Sequence, residues 1–321
     1  MSQFEFTIST VARPRHGEVL ELLFADLTEP NRAIQVDQAM DSLAQSQLHA
    51  GGLLEAVQGK SLVATSWLQL LPGRAGYLWG PQFISDSSGS EQRRAILSSN
   101  DIQLIASELT SASFKFTQQA GCQIVQSLVA PSDLDIAAGM QQAGMQHATD
   151  LHYLVSLRKA FPQSAEPSEL TFEAYSSADQ LRWEGVIDRT YEGSLDCPLV
   201  NGTRAVSELL ESYRNTGDSG ATHWYFVRQA GQDIGCLLLA EHRRESCWEL
   251  VYMGIIPEVR GRGLGRQIVR YAQRLAQQHQ AAQLALAVDA ENQPALAMYM
   301  DADFVVCEAR QVLLFFAQTP L

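Results

Sequence analysis

The sequence predicts an α/β (α+β) chain of two modules in tandem, and three observations carry that expectation. Its 321 residues exceed what one ordinary core organises and suit about two domains. Residues 160–169 set Pro162 and Pro167 among small polar residues without apolar periodicity, the composition of a linker. On either side of that stretch the same order of strand and helix patterns recurs. The expected modules are 1–159 and 170–321, joined by 160–169.

In the second module alternation predicts a strand over 170–175, and helical periodicity follows at 179–190 and 204–215. Strand patterns occupy 222–228, 234–241 and 247–256. Helix 264–278 sets Leu264, Ile268, Ala272, Leu275 and Ala276 on one face. The continuous apolar run 284–288 reads as a strand buried on both faces. A short helix over 294–301 and a strand over 305–316 complete the module. The first module has strands at 6–11, 53–58, 61–70, 76–83, 122–130 and 151–158, helical stretches after the first, and helices at 99–109 and 133–143. The segments starting at Met140 and Tyr299 each put an apolar residue, Met145 or Phe304, five places on, which supports a diverged duplication.

Composition excludes several classes. Hydrophobic residues are 46% and charged residues 18%, the balance of a soluble globular protein. No apolar run approaches the ~20 residues of a membrane span, and the residues after Met1 lack the basic start and apolar stretch of a secretory signal. A cytoplasmic protein, monomeric or homodimeric and without a membrane partner, is expected. Five scattered cysteines show no zinc-like spacing, so no metal is expected. A net charge of -13 repels a phosphate backbone and argues against nucleic acid. The same charge draws cationic partners such as amines.

The most informative run is Arg260-Gly261-Arg262-Gly263-Leu264-Gly265-Arg266, lying between a strand and a helix. A helix start exposes backbone N–H groups and partial positive charge, and therefore binds phosphate. Glycines admit the oxygens closely, while Arg260, Arg262 and Arg266 add attraction. A dinucleotide fingerprint would need glycine where Arg266 stands, and the Walker-like Gly59-Lys60-Ser61 lacks its leading glycine, which falls on Leu54. A basic turn without ligand is the remaining alternative. Arginines crowding one helix start oppose its dipole, and an anion would relieve them.

Arg260, Gly263 and Gly265 fill the pyrophosphate signature of the GNAT superfamily of N-acetyltransferases, and 248–257 resembles that family's fourth strand. The resemblance is specific over 249–304 and looser over 170–321. In its tandem arrangement the chain is also similar to mycothiol synthase-like members. The resemblance implies two tandem GNAT-like modules, each a mixed, mostly antiparallel central sheet flanked by helices. It also implies acetyl-CoA as co-substrate and acyl transfer to an amine of a small molecule or peptide. A module that binds acyl-CoA without chemistry is the rival.

Acyl transfer to an amine must hold the coenzyme, take a proton from the amine, stabilise the oxyanion and protonate the thiolate. Unbroken alternation puts Glu249, Val251, Met253 and Ile255 on one strand face and Trp248, Leu250 and Tyr252 on the other. Glu249 among apolar neighbours suits a general base, or else it is a solvated or paired carboxylate. A bulge at Gly254 would free backbone N–H groups near Met253 and Ile255, which the resemblance implies bind the pantetheine arm and thioester carbonyl; otherwise the strand runs uninterrupted with a small residue inside. The resemblance implies that Asn292 bonds the pantetheine arm and that Tyr299 protonates the departing thiolate. Otherwise Asn292 caps the helix opened by Pro294, and Tyr299 packs in the core. Asp303 stands where the family usually has glycine. Tyr191, Glu192 and Asp196 fall where the family shapes its amine pocket, although a polar loop explains them equally well. In the first module the corresponding loop, 85–94, has one glycine and added acid, Met140 aligns with Tyr299 and Asp133 with Asn292. That module is expected to have lost coenzyme binding.

Overall fold

The computed structural model describes residues 5–45, 50–84, 97–164, 168–200 and 202–317. The chain divides into two compact units, Met1–Ala148 with Gln311–Leu321, and Thr149–Arg310. In unit 1 the strands β1 (Thr7–Thr10), β2 (Leu53–Gln58), β3 (Ser61–Leu71) and β4 (Ala75–Phe83) run antiparallel in that order. Strand β5 (Ile124–Val129) is parallel to β4, and the end of β12 (Val305–Phe316) is antiparallel to β5. Helices α1 (His16–Leu23) and α2 (Asn31–Ala44) pack with Leu53 and Trp67. Helices α3 (Ser99–Gln119) and α4 (Leu134–Gln142) pack with Leu68, Leu78 and Val125.

Unit 2 repeats the plan. Strands β7 (Leu170–Ala174), β8 (His223–Gln229), β9 (Gln232–His242) and β10 (Cys247–Ile255) are antiparallel in order, and β11 (Gln283–Asp289) is parallel to β10. Helices α5 (Gln180–Tyr191) and α6 (Val206–Arg214) enclose Trp183, Trp224 and Phe226. Helices α7 (Leu264–Gln278) and α8 (Gln293–Asp301) share a core with Trp248, Leu284 and Leu286. The four antiparallel strands and parallel fifth of each unit are the mixed, mostly antiparallel sheet that the resemblance implies.

The unit bounds differ from 1–159 and 170–321, and strand pairing is the reason. Strand β6 (Gln146–Leu157) follows unit 1's last helix in sequence, yet it pairs antiparallel with β11, from Leu157 opposite Gln283 to Leu151 opposite Asp289. Leu154 and Ser156 are 0% exposed, and Gln273 Nε2 donates to Ser156 Oγ at 2.9 Å. The end of β12 completes unit 1 in the same manner. The 160–169 stretch is fastened to unit 2, because Phe161 joins its core and Ser168 donates to Gln267 Oε1 at 2.9 Å. Residues 165–167 lie outside the described residues, as does the expected 85–94 loop.

Two further expectations change. Helix α3 continues past Leu109 to Gln119, since no glycine or proline interrupts it before Gly121, whose φ is +64°. Ser113 and Thr117 turn their hydroxyls onto the carbonyls of Leu109 and Phe114. Strand β11 is not buried on both faces. Leu284, Leu286 and Val288 are buried, whereas Ala287 is exposed, and its small side chain leaves the other face open.

Removing β6 leaves β11 paired only with β10, over Gln283 to Ala285, and strips the other edge of the strand. A 149–310 fragment should melt cooperatively, and a 170–310 fragment should lose that transition. Circular dichroism during heating checks this, and equal transitions would contradict the strand assignment.

Candidate active site

The site begins with a fault in β10. Its register against β9 shifts between Leu250 and Tyr252, making Val251 a bulge. Alternation flips there: Trp248 and Leu250 face the α7 core, Tyr252 faces the α5 core, and Met253 and Ile255 return to the α7 side. The bulge therefore sits at Val251, not at Gly254, and Glu249 shares the face of Tyr252 rather than that of Met253. Gly254 has a different cause. A Cβ there would lie 2.5 Å from Thr190 Cβ, so glycine lets α5 approach the strand.

Strands β10 and β11 pair only from Cys247 opposite Gln283 to Glu249 opposite Ala285, although both run on. Beyond that point they part around a cavity of about 730 Å³, lined by Met253 and Ile255 on one wall and Ala287 and Val288 on the other. Ile256 N–H donates to Ile234 O on the β9 side at 2.9 Å. Alternation along the strand then directs the N–H groups of Met253 and Ile255 into the cleft.

The glycine-arginine turn forms the cleft's mouth. Gly261 and Gly263 have φ of +74° and +76°, conformations that cost an L-residue roughly 1–2 kcal/mol. Helix α7 starts at Leu264 with no side-chain cap and no acidic residue in its first turn, so its N–H groups and dipole face the cavity unneutralised. Gly265 brings α8 against α7, since a Cβ would meet Met298 Sδ at 2.6 Å.

The three arginines differ. Arg260 donates from Nε to Ile255 O at 2.8 Å, from Nη1 to the carbonyls of Glu192 and Gly193 at 2.8 and 3.1 Å, and from Nη2 to Thr190 O at 2.9 Å. Its guanidinium thus fastens the end of α5 to β10 and is engaged by carbonyls. Arg262 donates to Glu258 O at 2.9 Å and stands outside the cavity lining, whereas Arg266 lines it.

Asn292 caps α8, its side-chain carbonyl accepting from Ala295 N at 3.3 Å, and it lines the cavity. Tyr299 is buried at the cavity wall, and burial, with the Asp196 carboxylate adding, holds its hydroxyl well above the usual phenol range. Asp196 lines the same space, and burial pushes its carboxyl up, opposed by a hydrogen bond from the Asp289 backbone, with the Asp289 charge adding. Asp289 ends β11 at 1% exposure, and its carboxylate accepts from Cys197 N at 2.9 Å and Glu291 N at 2.8 Å. It thereby fixes the 194–197 loop to the turn before α8.

One cavity thus brings together Met253, Gly254, Ile255, Arg260, Gly261, Gly263, Leu264, Gly265, Arg266, Asn292, Asp196 and Tyr299. Glu249, Arg262, Tyr191 and Glu192 are outside its lining. Tyr191 bonds the Tyr213 hydroxyl at 2.9 Å and stacks on Tyr252, and Glu192 is exposed. Glu249 adjoins Leu250 of the lining and holds His242 Nε2 at 2.7 Å. Sequence reasoning missed His242 and the bracing role of Asp289. The charged stop of an apolar strand was a signal for Asp289, and the hairpin register after 242 was one for His242.

A splayed parallel pair, with an uncapped glycine-rich helix mouth at its opening, suits a ligand with a phosphate-bearing end. Residues 187–304 match the acetyltransferase (GNAT) family. The chain carries a GNAT domain. No curated protein sequence matches the chain significantly. Among solved structures it is similar to a GCN5-related N-acetyltransferase from Sphaerobacter thermophilus, with TM-score 0.66 and 14% identity over 98% of this chain and 97% of that one. It is similar too to a tandem GNAT protein of the clavulanic acid biosynthesis pathway, with TM-score 0.54 and 12% identity over 98% and 100%. A third is the GCN5-related glucosamine N-acetyltransferase region of a fungal multi-domain β-N-acetylglucosaminidase, with TM-score 0.60 and 12% identity over 98% of this chain and 38% of that one. Around the GNAT domain, among the described residues, no helix is long and apolar enough to cross a membrane and no acidic, histidine and cysteine cluster suits a metal ion.

Arg260→Ala removes the clamp on the end of α5 and should cost about 1–3 kcal/mol. Arg260→Lys should recover little, because an ammonium cannot fork toward several carbonyls. Urea unfolding checks both, and a loss below about 0.5 kcal/mol for the alanine variant would contradict the clamp.

Proposed function

We propose that the GNAT domain moves an acetyl group from acetyl-CoA to a primary amine of a small molecule or peptide by direct attack. The observation that carries this reading is the cleft between β10 and β11 with the uncapped start of α7 at its mouth. The N–H groups of Leu264, Gly265 and Arg266 would hold the diphosphate, with Arg266 adding charge. Met253 and Ile255 N–H would bond the pantetheine arm and the thioester carbonyl, and stabilise the oxyanion as it forms. Asn292 would steady the same arm.

Glu249 would take the amine's proton, directly or through water, and Asp196 would face the cationic acceptor, with Tyr191 and Glu192 bordering the approach. Burial keeps the Tyr299 hydroxyl protonated near neutral pH, and Tyr299 would donate that proton to the departing thiolate. Direct attack agrees with the cysteines. Burial holds the Cys197 thiol at about 11 and Cys236 at about 12, and also raises Cys247, so these thiols stay protonated near neutral pH and are poor nucleophiles.

Unit 1 would bind no coenzyme. At the start of α3 the Asp101 carboxylate accepts from Ser98 N–H and Ser98 Oγ accepts from Asp101 N, so this helix occupies its own anion site. Between β4 and β5, Ser127 Oγ donates to Leu78 O at 2.7 Å, and fully buried Met140 lies under Gly80.

Thiol release from acetyl-CoA should appear with at least one member of a panel of polyamines, amino acids, aminoglycosides and peptides. Glu249→Gln and Tyr299→Phe should each lower kcat by roughly 10²–10⁴ while CoA affinity stays within about twofold. CoA binding with no thiol release from any amine would favour an acyl-CoA-sensing module instead.

A further inference from the structure

Acetylating an ammonium releases one net proton, because the amide nitrogen is neutral and the thiol leaves protonated. That proton needs a way out of a cleft walled by Leu250, Val251 and Tyr252. Beside Glu249 stands a group that the reaction so far leaves idle. The β9–β10 hairpin puts His242 opposite Cys247 and Glu249 opposite Ala240, so His242 and Glu249 are diagonal neighbours on one sheet face. His242 Nε2 and Glu249 Oε2 are 2.7 Å apart, and the side chains are 30% and 35% exposed. Glu249 precedes Leu250 of the cavity lining in the chain, and both side chains of the pair are partly exposed.

We propose that His242 is the positioning residue of Glu249 and its proton exit, holding the carboxylate toward the acceptor and passing the acceptor's proton to water. This rests on the reading of Glu249 as the base. One N–H bond of the ammonium breaks and an O–H bond forms on Glu249. The proton crosses the 2.7 Å hydrogen bond to Nε2 of His242, neutral in its Nδ1–H form, the imidazolium loses the Nδ1 proton to solvent, and exchange of the ring protons with solvent restores that form. The freed lone pair forms the C–N bond, and the C–S bond breaks with its pair leaving on sulfur. Tyr299 protonates that sulfur and regains a proton, through solvent, from the one that nitrogen sheds on attack.

The surroundings favour this direction. His242 has its pKa raised above the ordinary 6.5, chiefly by the hydrogen bond to Glu249, with the charges of Glu249, Glu245 and Asp218 adding and burial opposing. On the other side of Glu249 stands Tyr153, raised by burial and by Glu308 and Glu249, while Arg310, paired with Glu308, lowers it. Cys247, opposite His242, has a thiol raised by burial and stays protonated. The ion pair stabilises the fold fully below pH 6.5, and this stabilisation is lost as pH rises through the raised His242 value. Proton acceptance by His242 requires neutral imidazole, so turnover should rise through the same pH.

The test uses the full chain, acetyl-CoA and the amine giving fastest thiol release in the panel above. The expected acid limb of kcat lies above pH 6.5 in the parent. In His242→Gln it moves to lower pH, the plateau falls roughly tenfold, and CoA affinity is unchanged. Imidazole in the buffer should restore part of the turnover of His242→Ala. An unchanged limb and plateau in His242→Gln, with turnover lost in Glu249→Gln, would overturn the role of His242 and leave the base standing. Unchanged turnover in Glu249→Gln would remove both. If the His242 variants do not fold, an NMR titration of the parent decides: a His242 pKa at or below 6.5, or one unmoved in Glu249→Gln, overturns the proposal.

Discussion

Parallel pairing between β10 and β11 ends at Glu249 and Ala285, and the rest of the GNAT domain's site depends on that parting. A regular ladder would consume the N–H groups of Met253 and Ile255 and close the space between the strands. The bulge at Val251 re-aims β10, so that Met253 and Ile255 still pack toward α7 while their backbone faces the gap. Small residues keep the walls close without filling the cleft. Gly254 admits α5, Gly265 admits α8, and Ala287 leaves the floor of the cavity low.

Polar bracing keeps the parted strands apart. Arg260 ties β10 to the end of α5 through carbonyl oxygens, and buried Asp289 ties the end of β11 to the 194–197 loop and the turn before α8. Both act through hydrogen bonds to backbone groups of the neighbouring loop. Unit 1 has the same strand order but a different helix start, where Asp101 neutralises the donors that unit 2 leaves open. The two units thus differ in whether a carboxylate of the chain already occupies the helix mouth.

Much of this was legible in the sequence because it is local. The turn from Arg260 to Arg266, the capping geometry of Asn292 and the placement of Tyr299 follow from spacing along one strand, one turn and one helix. Features set by distant pairing were not legible. Strands β6 and β12 close sheets on the far side of the expected boundary, and no composition signal marks that exchange. The bulge at Val251 depends on register against β9, which alternation within β10 cannot show. Arg260 reads as an anion ligand in sequence, yet the carbonyls it meets come from about seventy residues away.

The most direct measurement is calorimetric titration of the full chain with CoA, beside a Gly263→Val variant shown by circular dichroism to be folded. Valine at a φ of +76° cannot keep the turn that starts α7. The account predicts one CoA per chain in the parent and no measurable binding in the variant. No heat at millimolar CoA, two equivalent sites, or undiminished binding by the variant would contradict it.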